Sequence, residues 1–328
     1  MIRLVRVELQ RLFSRRLTLF TSLGLLVITA VVIFGTAHDA KPLSGQELTM
    51  AQQSFEQAQK DWKLHGAEMV KECRKAEATE RETDPTVNFG CDMQAPTWAN
   101  WGKPAVELQR ALPDTLQIGS YALAFVAFLL GAGFLAAEFS TGSMGNWLTF
   151  EPRRLRVYGS KLLAAGLGVL APAVVVLALL VGSVWIICDA WGSTAMPKGW
   201  GPPLLMALRV LALTAVAAVA GAALGSLVRH TAAAIGLAMA YLVLVEGMFV
   251  NSFLQPQQPW LLLKNVEAWV AKGTTFFLDE CRVDQAGNYM CAGVERNVSF
   301  GHGTAYLAVA CGLIVLLGAI LFRRRDVA

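Results

Sequence analysis

Few side chains in this chain could do chemistry, and the densest set of them lies between 138 and 161. Glu138 opens the segment, a polar turn with Gly142 and Ser143 follows, and Trp147 and Leu148 make a short apolar center. Pro152 then precedes Arg153, Arg154, Arg156 and Lys161. An acid at one end, bases at the other and an apolar patch between them suit adhesion rather than bond making. Such a segment offers a partner an electrostatically and sterically specific docking surface. The alternative for Arg153, Arg154 and Arg156 is simple attachment of the loop to anionic lipid headgroups.

Motifs of catalysis are missing from the sequence. There is no Gly-x-x-x-x-Gly-Lys-[Ser/Thr] phosphate loop, so ATP is not held in that manner. Neither a His-Glu-x-x-His helix, a Gly-x-Ser-x-Gly elbow nor a Cys-x-x-Cys pair occurs. His38, His65, His230 and His302 are scattered without metal-ligand spacing. The chain is therefore expected to bind no metal or cofactor and to catalyse nothing by itself, and no feature of it points to nucleic acid.

Composition explains what must position these residues. Of 328 residues 55% are hydrophobic and only 16% charged, which places the chain among membrane proteins. A hydrocarbon core about 30 Å thick takes roughly 20 apolar residues as a helix. Six stretches are long enough: 17–37, 116–137, 162–187, 204–228, 232–254 and 304–322. Backbone amides in lipid must be bonded within their own segment, so the fold class is an all-α integral membrane protein.

Basic residues set its orientation. Arg3, Arg6, Arg11, Arg15 and Arg16 precede the first span, Arg229 lies in the turn between spans four and five, and Arg323, Arg324 and Arg325 follow the last. Six spans put all of these on the side of the 138–161 connector, and the positive-inside rule makes that side cytoplasmic, both termini included. A cleaved leader ending near Gly35-Thr36-Ala37 is the competing reading. Its apolar region is too long, and five more spans follow.

Within residues 1–16, Ile2, Val5, Leu9 and Leu12 share one helical face, the pattern of an amphipathic interfacial helix. Residues 38–114 form a long outer segment in which Leu48, Phe55, Trp62, Met69 and Ala76 recur every seven residues. That stripe predicts a helix packed on a second short element or on a partner chain. Pro85, Pro96, Pro104 and Pro113 mark the remainder as loop. In the second outer loop, 255–303, residues 260–271 predict an interfacial or re-entrant helix. Cys73, Cys91, Cys281 and Cys291 all fall in outer loops; three pairings are possible, and Cys73–Cys91 with Cys281–Cys291 closes the shortest rings.

Two charges sit at membrane depth, Arg209 in span four and Glu246 in span five. Ionisable groups there are costly and usually paired. The hairpin of spans four and five predicts that they pair with each other, while a snorkelling Arg209 and a protonated Glu246 are the alternatives. The small residues of 215–225 predict close helix packing.

The connector resembles that of the membrane subunits of ABC exporters of the type-2 permease family. There an acid ends span two, a Gly-Ser/Thr turn and a short apolar helix follow, and a Pro-Arg stretch leads to a lysine opening span three. Glu138, Gly142, Ser143, Trp147, Leu148, Pro152, Arg153 and Lys161 stand in those places. The resemblance implies a multi-pass plasma-membrane protein of prokaryotic type that pairs with itself or with a related permease. It also implies a cytoplasmic ABC ATPase subunit in trans that binds ATP and Mg, with residues 139–151 as the coupling helix and the N-terminal helix as a second contact. The large 38–114 loop departs from the smallest members. A membrane scaffold or sensor whose outer segment binds a ligand is the alternative function.

Overall fold

The computed structural model describes residues 2–82, 87–249, 255–283 and 289–324. Six of its helices are long and apolar enough to cross a membrane. Helix α1 (Ile2–Ser14) runs into α2 (Arg16–Ala40) with a break at Arg15. Outside the bundle stand α3 (Gln46–Arg81) and the single turn α4 (Trp98–Trp101). Then come α5 (Leu108–Ser140), α6 (Ser143–Phe150), α7 (Arg154–Gly168), α8 (Leu170–Trp191), α9 (Gly201–Val228) and α10 (Thr231–Ala240). The fifth apolar helix continues past α10 as a π-helix over Tyr241–Phe249, and a 3₁₀ turn, Gln255–Trp260, precedes α11 (Leu262–Ala271). A final helix, α12 (Phe300–Arg324), ends the described chain.

Helices α5 and α9 form the center of the bundle. The small residues between 215 and 225 make that crossing close: a Cβ on Gly221 would collide with the Phe128 carbonyl, one on Gly225 with that of Ala132, and one on Gly131 with that of Ala218. Around the crossing Leu108, Leu112, Leu116 and Leu123 of α5 meet Leu180 and Val184 of α8 in one buried cluster. Pro113 sits inside α5 rather than in a loop. It removes the hydrogen bond back to Gln109, and burial of the leucines on either side offsets that loss. Pro172 acts where it was not foreseen: it lies four residues beyond Gly168, where the third apolar helix breaks into α7 and α8. That helix also begins at Arg154, inside the segment read as connector.

The six apolar helices make the membrane part all-α, as expected, and to it is added an unexpected β-hairpin, β3 (Gly273–Val283) with β4 (Tyr289–Ser299), in register from Gly273↔Ser299 to Val283↔Tyr289. Phe276 and Val298 bury against Ala268 of α11 while Phe277 and Asn297 stay exposed. A two-residue parallel bridge, β1 (Val106–Glu107) with β2 (Gly192–Ser193), ties the start of α5 to the end of α8.

Outside the bundle, the return segment touches α3 at two levels, while Met69 and Ala76 of its stripe stay exposed. Cys73 is disulfide-bonded to Cys91, Arg74 meets Asp92 at 3.3 Å, and the Phe55 ring stands edge-on to Trp98. Of the stripe, Leu48, Phe55 and Trp62 are half-buried, and none of its five residues is fully buried. Cys281 is also disulfide-bonded, and the hairpin register sets position 291 opposite it. The side chain of Cys291 lies outside the described residues.

Candidate functional site

The residues of the 138–161 segment come together with α1 at one end of the bundle. Gly142 makes the turn possible: its φ of +69° is left-handed, and it caps α6 directly after α5 ends at Ser140. Met144 is buried and Leu148 packs against the same cluster as Phe134, Leu135 and Val157, so α6 lies flat on the ends of α5 and α7. Phe150, at its far end, is 87% exposed. Pro152 and Arg153 then form the exposed turn into α7, and Arg153 occupies its N-cap position.

Beneath α6 lies a fully buried charge cluster. Lys161 donates to Glu8 at 2.8 Å and stands 2.5 Å from Glu138, and all three side chains are at most 1% exposed. Arg15 donates to the other Glu138 oxygen at 2.9 Å and to the Phe134 carbonyl at 2.9 Å. Arg11 approaches Glu138 at 4.0 Å. Aromatic faces complete the lining: Trp147 lies 4.8 Å from the Arg11 guanidinium and 5.4 Å from Nζ of Lys161, and the Phe134 ring 4.9 Å from Arg15. Trp147 is therefore turned inward, and its indole N–H finds no acceptor among the described residues.

Glu8 escaped the sequence reading, although a signal was present. It is the only acid in the first 38 residues, and it lies one helical turn from Val5 and Leu12, on the face that buries Leu12 against Gly168 of α7. Burial pushes its carboxyl above the ordinary glutamate value, against the opposing pull of Lys161. Four elements, α1, the head of α2, the end of α5 and α7, are thus cross-linked by charge directly under α6.

The other basic stretches gather at this end. Arg229, in the turn after α9, lies over the Phe139 ring at 5.0 Å, and Arg154 donates to the Arg323 carbonyl at 3.4 Å. Phe322 stacks on Tyr158 and meets Phe139 edge-on.

Arg209 and Glu246 are not brought together. Glu246 accepts the Leu262 amide at 2.6 Å, the Leu263 amide at 3.2 Å and the Tyr241 hydroxyl at 2.9 Å. Arg209 donates to the Leu205 carbonyl at 3.2 Å and the Trp269 carbonyl at 3.3 Å. The reason is α11, which packs against α5, α9 and α12 and occupies the space between the two charges. Its first amides need an acceptor and its last carbonyls a donor, and those needs are met by the carboxylate and the guanidinium.

The ABC-2 family transporter proteins match this chain over residues 8–327. The chain belongs to that family. It is thus a membrane permease subunit of an ABC transporter, without a catalytic site of its own, and no group of metal-binding side chains occurs among the described residues. No curated protein and no solved structure matches it at a significant level.

Proposed function

We propose that the chain is the permease of an ABC exporter, that α6 is the helix by which it couples to an ATPase subunit supplied in trans, and that two permeases pair around the translocation path. The supporting observation is the arrangement of α6: an exposed Phe150 at its tip and, under its inner face, the buried Glu8–Lys161–Glu138–Arg15 cluster. A helix lying loosely on a membrane surface needs no such foundation. A helix that transmits force does, because its displacement must reach the spans rather than dissipate in a loop.

The division of labor follows from the geometry. Phe150, with Thr149 and Asn146 on the exposed side, faces the partner and supplies an apolar anchor. Trp147, Glu138 and Lys161 face inward and convert a shift of α6 into a shift of α5 and α7. The buried ion pairs resist partial separation, since stranding one member costs about 3–5 kcal/mol. The ends of the four elements therefore move as a unit. ATP and Mg belong to the ATPase subunit, whose closure would drive α6 and reorient the spans from inward to outward access. By the positive-inside rule this end, with both termini, faces the cytoplasm of a plasma membrane.

Mild-detergent purification tests the reading. The wild-type chain should bring an ABC ATPase subunit with it, and Phe150→Asp should lose most of that subunit while keeping a monodisperse permease. A permease that carries no ATPase subunit, or a Phe150→Asp variant that retains it fully, would overturn it.

A further inference from the structure

Where α9, α11 and α12 meet on the hairpin side of the bundle, a cavity of about 300 Å³ is lined by Leu205, Leu208, Arg209, Trp269, Lys272 and Phe300. Its floor is rigid: the Trp269 and Phe300 rings stack at 5.2 Å, and the Trp269 indole N–H donates to the Arg209 carbonyl at 3.0 Å while Arg209 donates back to Trp269. Its apolar wall, Leu205 and Leu208, lies on the outward face of α9, which a bilayer would cover. The polar end holds two cations, and neither forms an ion pair with a described residue. Arg209 uses one N–H on the Leu205 carbonyl and one on Trp269, which leaves further guanidinium donors for a ligand. The carboxylate of α11, Glu267, points elsewhere; it is two residues from Trp269, hence on the opposite face of the helix, and is held by Lys264 and Thr274.

We infer that this groove holds one anionic phospholipid of the adjacent leaflet, with its phosphate between Arg209 and Lys272 and an acyl chain along Leu205, Leu208 and Ala212. Charge complementarity selects the anion, and the continuous apolar wall reaching toward lipid selects an amphiphile over a soluble one. The lipid would cover the junction that fixes α11 to α9, which makes it a structural component of the bundle.

Native mass spectrometry of the delipidated chain, offered phosphatidylglycerol and phosphatidylcholine with identical acyl chains, tests this. The wild-type chain should retain one phosphatidylglycerol in preference to phosphatidylcholine. Lys272→Gln should reduce that preference about fivefold, the scale of one surface cation acting on an anionic lipid. Leu208→Trp, which fills the apolar wall, should weaken retention of both lipids. Equal retention of the two lipids by the wild-type chain would overturn the proposal, and so would unchanged retention of phosphatidylglycerol in both variants. Displacement of the lipid by soluble glycerol phosphate would assign the site to a soluble anion. Disulfide-linked dimers of Leu208→Cys in membranes would assign the groove to a second copy of the chain.

Discussion

Arg209 and Glu246 hold opposite ends of the same ten-residue helix. The carboxylate receives the first two amides of α11 and the guanidinium gives a hydrogen bond to the Trp269 carbonyl in its last turn. At 1.5 Å per residue the two sites are roughly 10 Å apart along the axis. Two charges at membrane depth are thus each tied to one end of a helix rather than to each other.

The consequence is measurable by a double-mutant cycle. Glu246→Gln and Arg209→Gln should each destabilise the bundle by about 1.5–3 kcal/mol, the range for hydrogen bonds to a charged group. A direct ion pair would let the double variant recover part of the loss. Here the double variant should be no more stable than the worse single variant, as read from unfolding in mixed micelles. Recovery in the double variant would show that the charges interact directly.

The cycle at the α6 end should behave in the opposite way. Lys161→Met strands Glu8, whereas Glu138 keeps Arg15, and should cost about 3–5 kcal/mol. Adding Glu8→Gln should restore a substantial part, because the stranded carboxylate is then gone. Strict additivity of the two changes in the same unfolding assay would contradict the contact.

Glu8 also gives the fold a pH dependence. Its carboxyl is raised above the ordinary value of 4.5, chiefly by burial. A raised acid contributes stability fully below its unfolded value and loses that contribution as pH rises through the folded one. Thermal stability of the wild-type chain should therefore fall relative to Glu8→Gln as pH increases upward from about 4.5. Parallel curves for the two proteins across that range would contradict the raised value.

In the segment that precedes α5, Cys73–Cys91 closes a short ring between α3 and its return segment. A ring of this size constrains the unfolded chain by about 3 kcal/mol. Cys91→Ser should open the return segment to proteolysis near Phe89 while leaving the apolar bundle intact. Equal protease resistance with and without the bond would show that Trp98 and Phe55 suffice to hold the segment.

What the sequence disclosed depended on the range of the interaction. Spans are long single-segment signals, so they are legible in composition, and the small residues between 215 and 225 announce a close helix contact, although not that α5 is the partner. The short apolar run of α6 between Gly142 and Pro152 is visible for the same reason. The hairpin was hidden because two charged, mixed strands look like loop until their register pairs them, although Phe276 and Leu278 alternate with Phe277 and Asp279. Lys161 could be placed at the head of span three, but not its partner Glu8, because 153 residues separate them. The error over Arg209 and Glu246 has the same origin. A hairpin argument sees two helices, and α11 enters between them from a later part of the chain.

The central claim is that α6 meets the ATPase subunit through Phe150, and proximity crosslinking in native membranes addresses it directly. A cysteine at Phe150, paired with single cysteines in the cleft of the ATPase subunit, should crosslink in high yield, whereas a cysteine at Phe277 on the hairpin should give none. Absence of crosslinking at Phe150, or crosslinking at Phe277, would contradict the account.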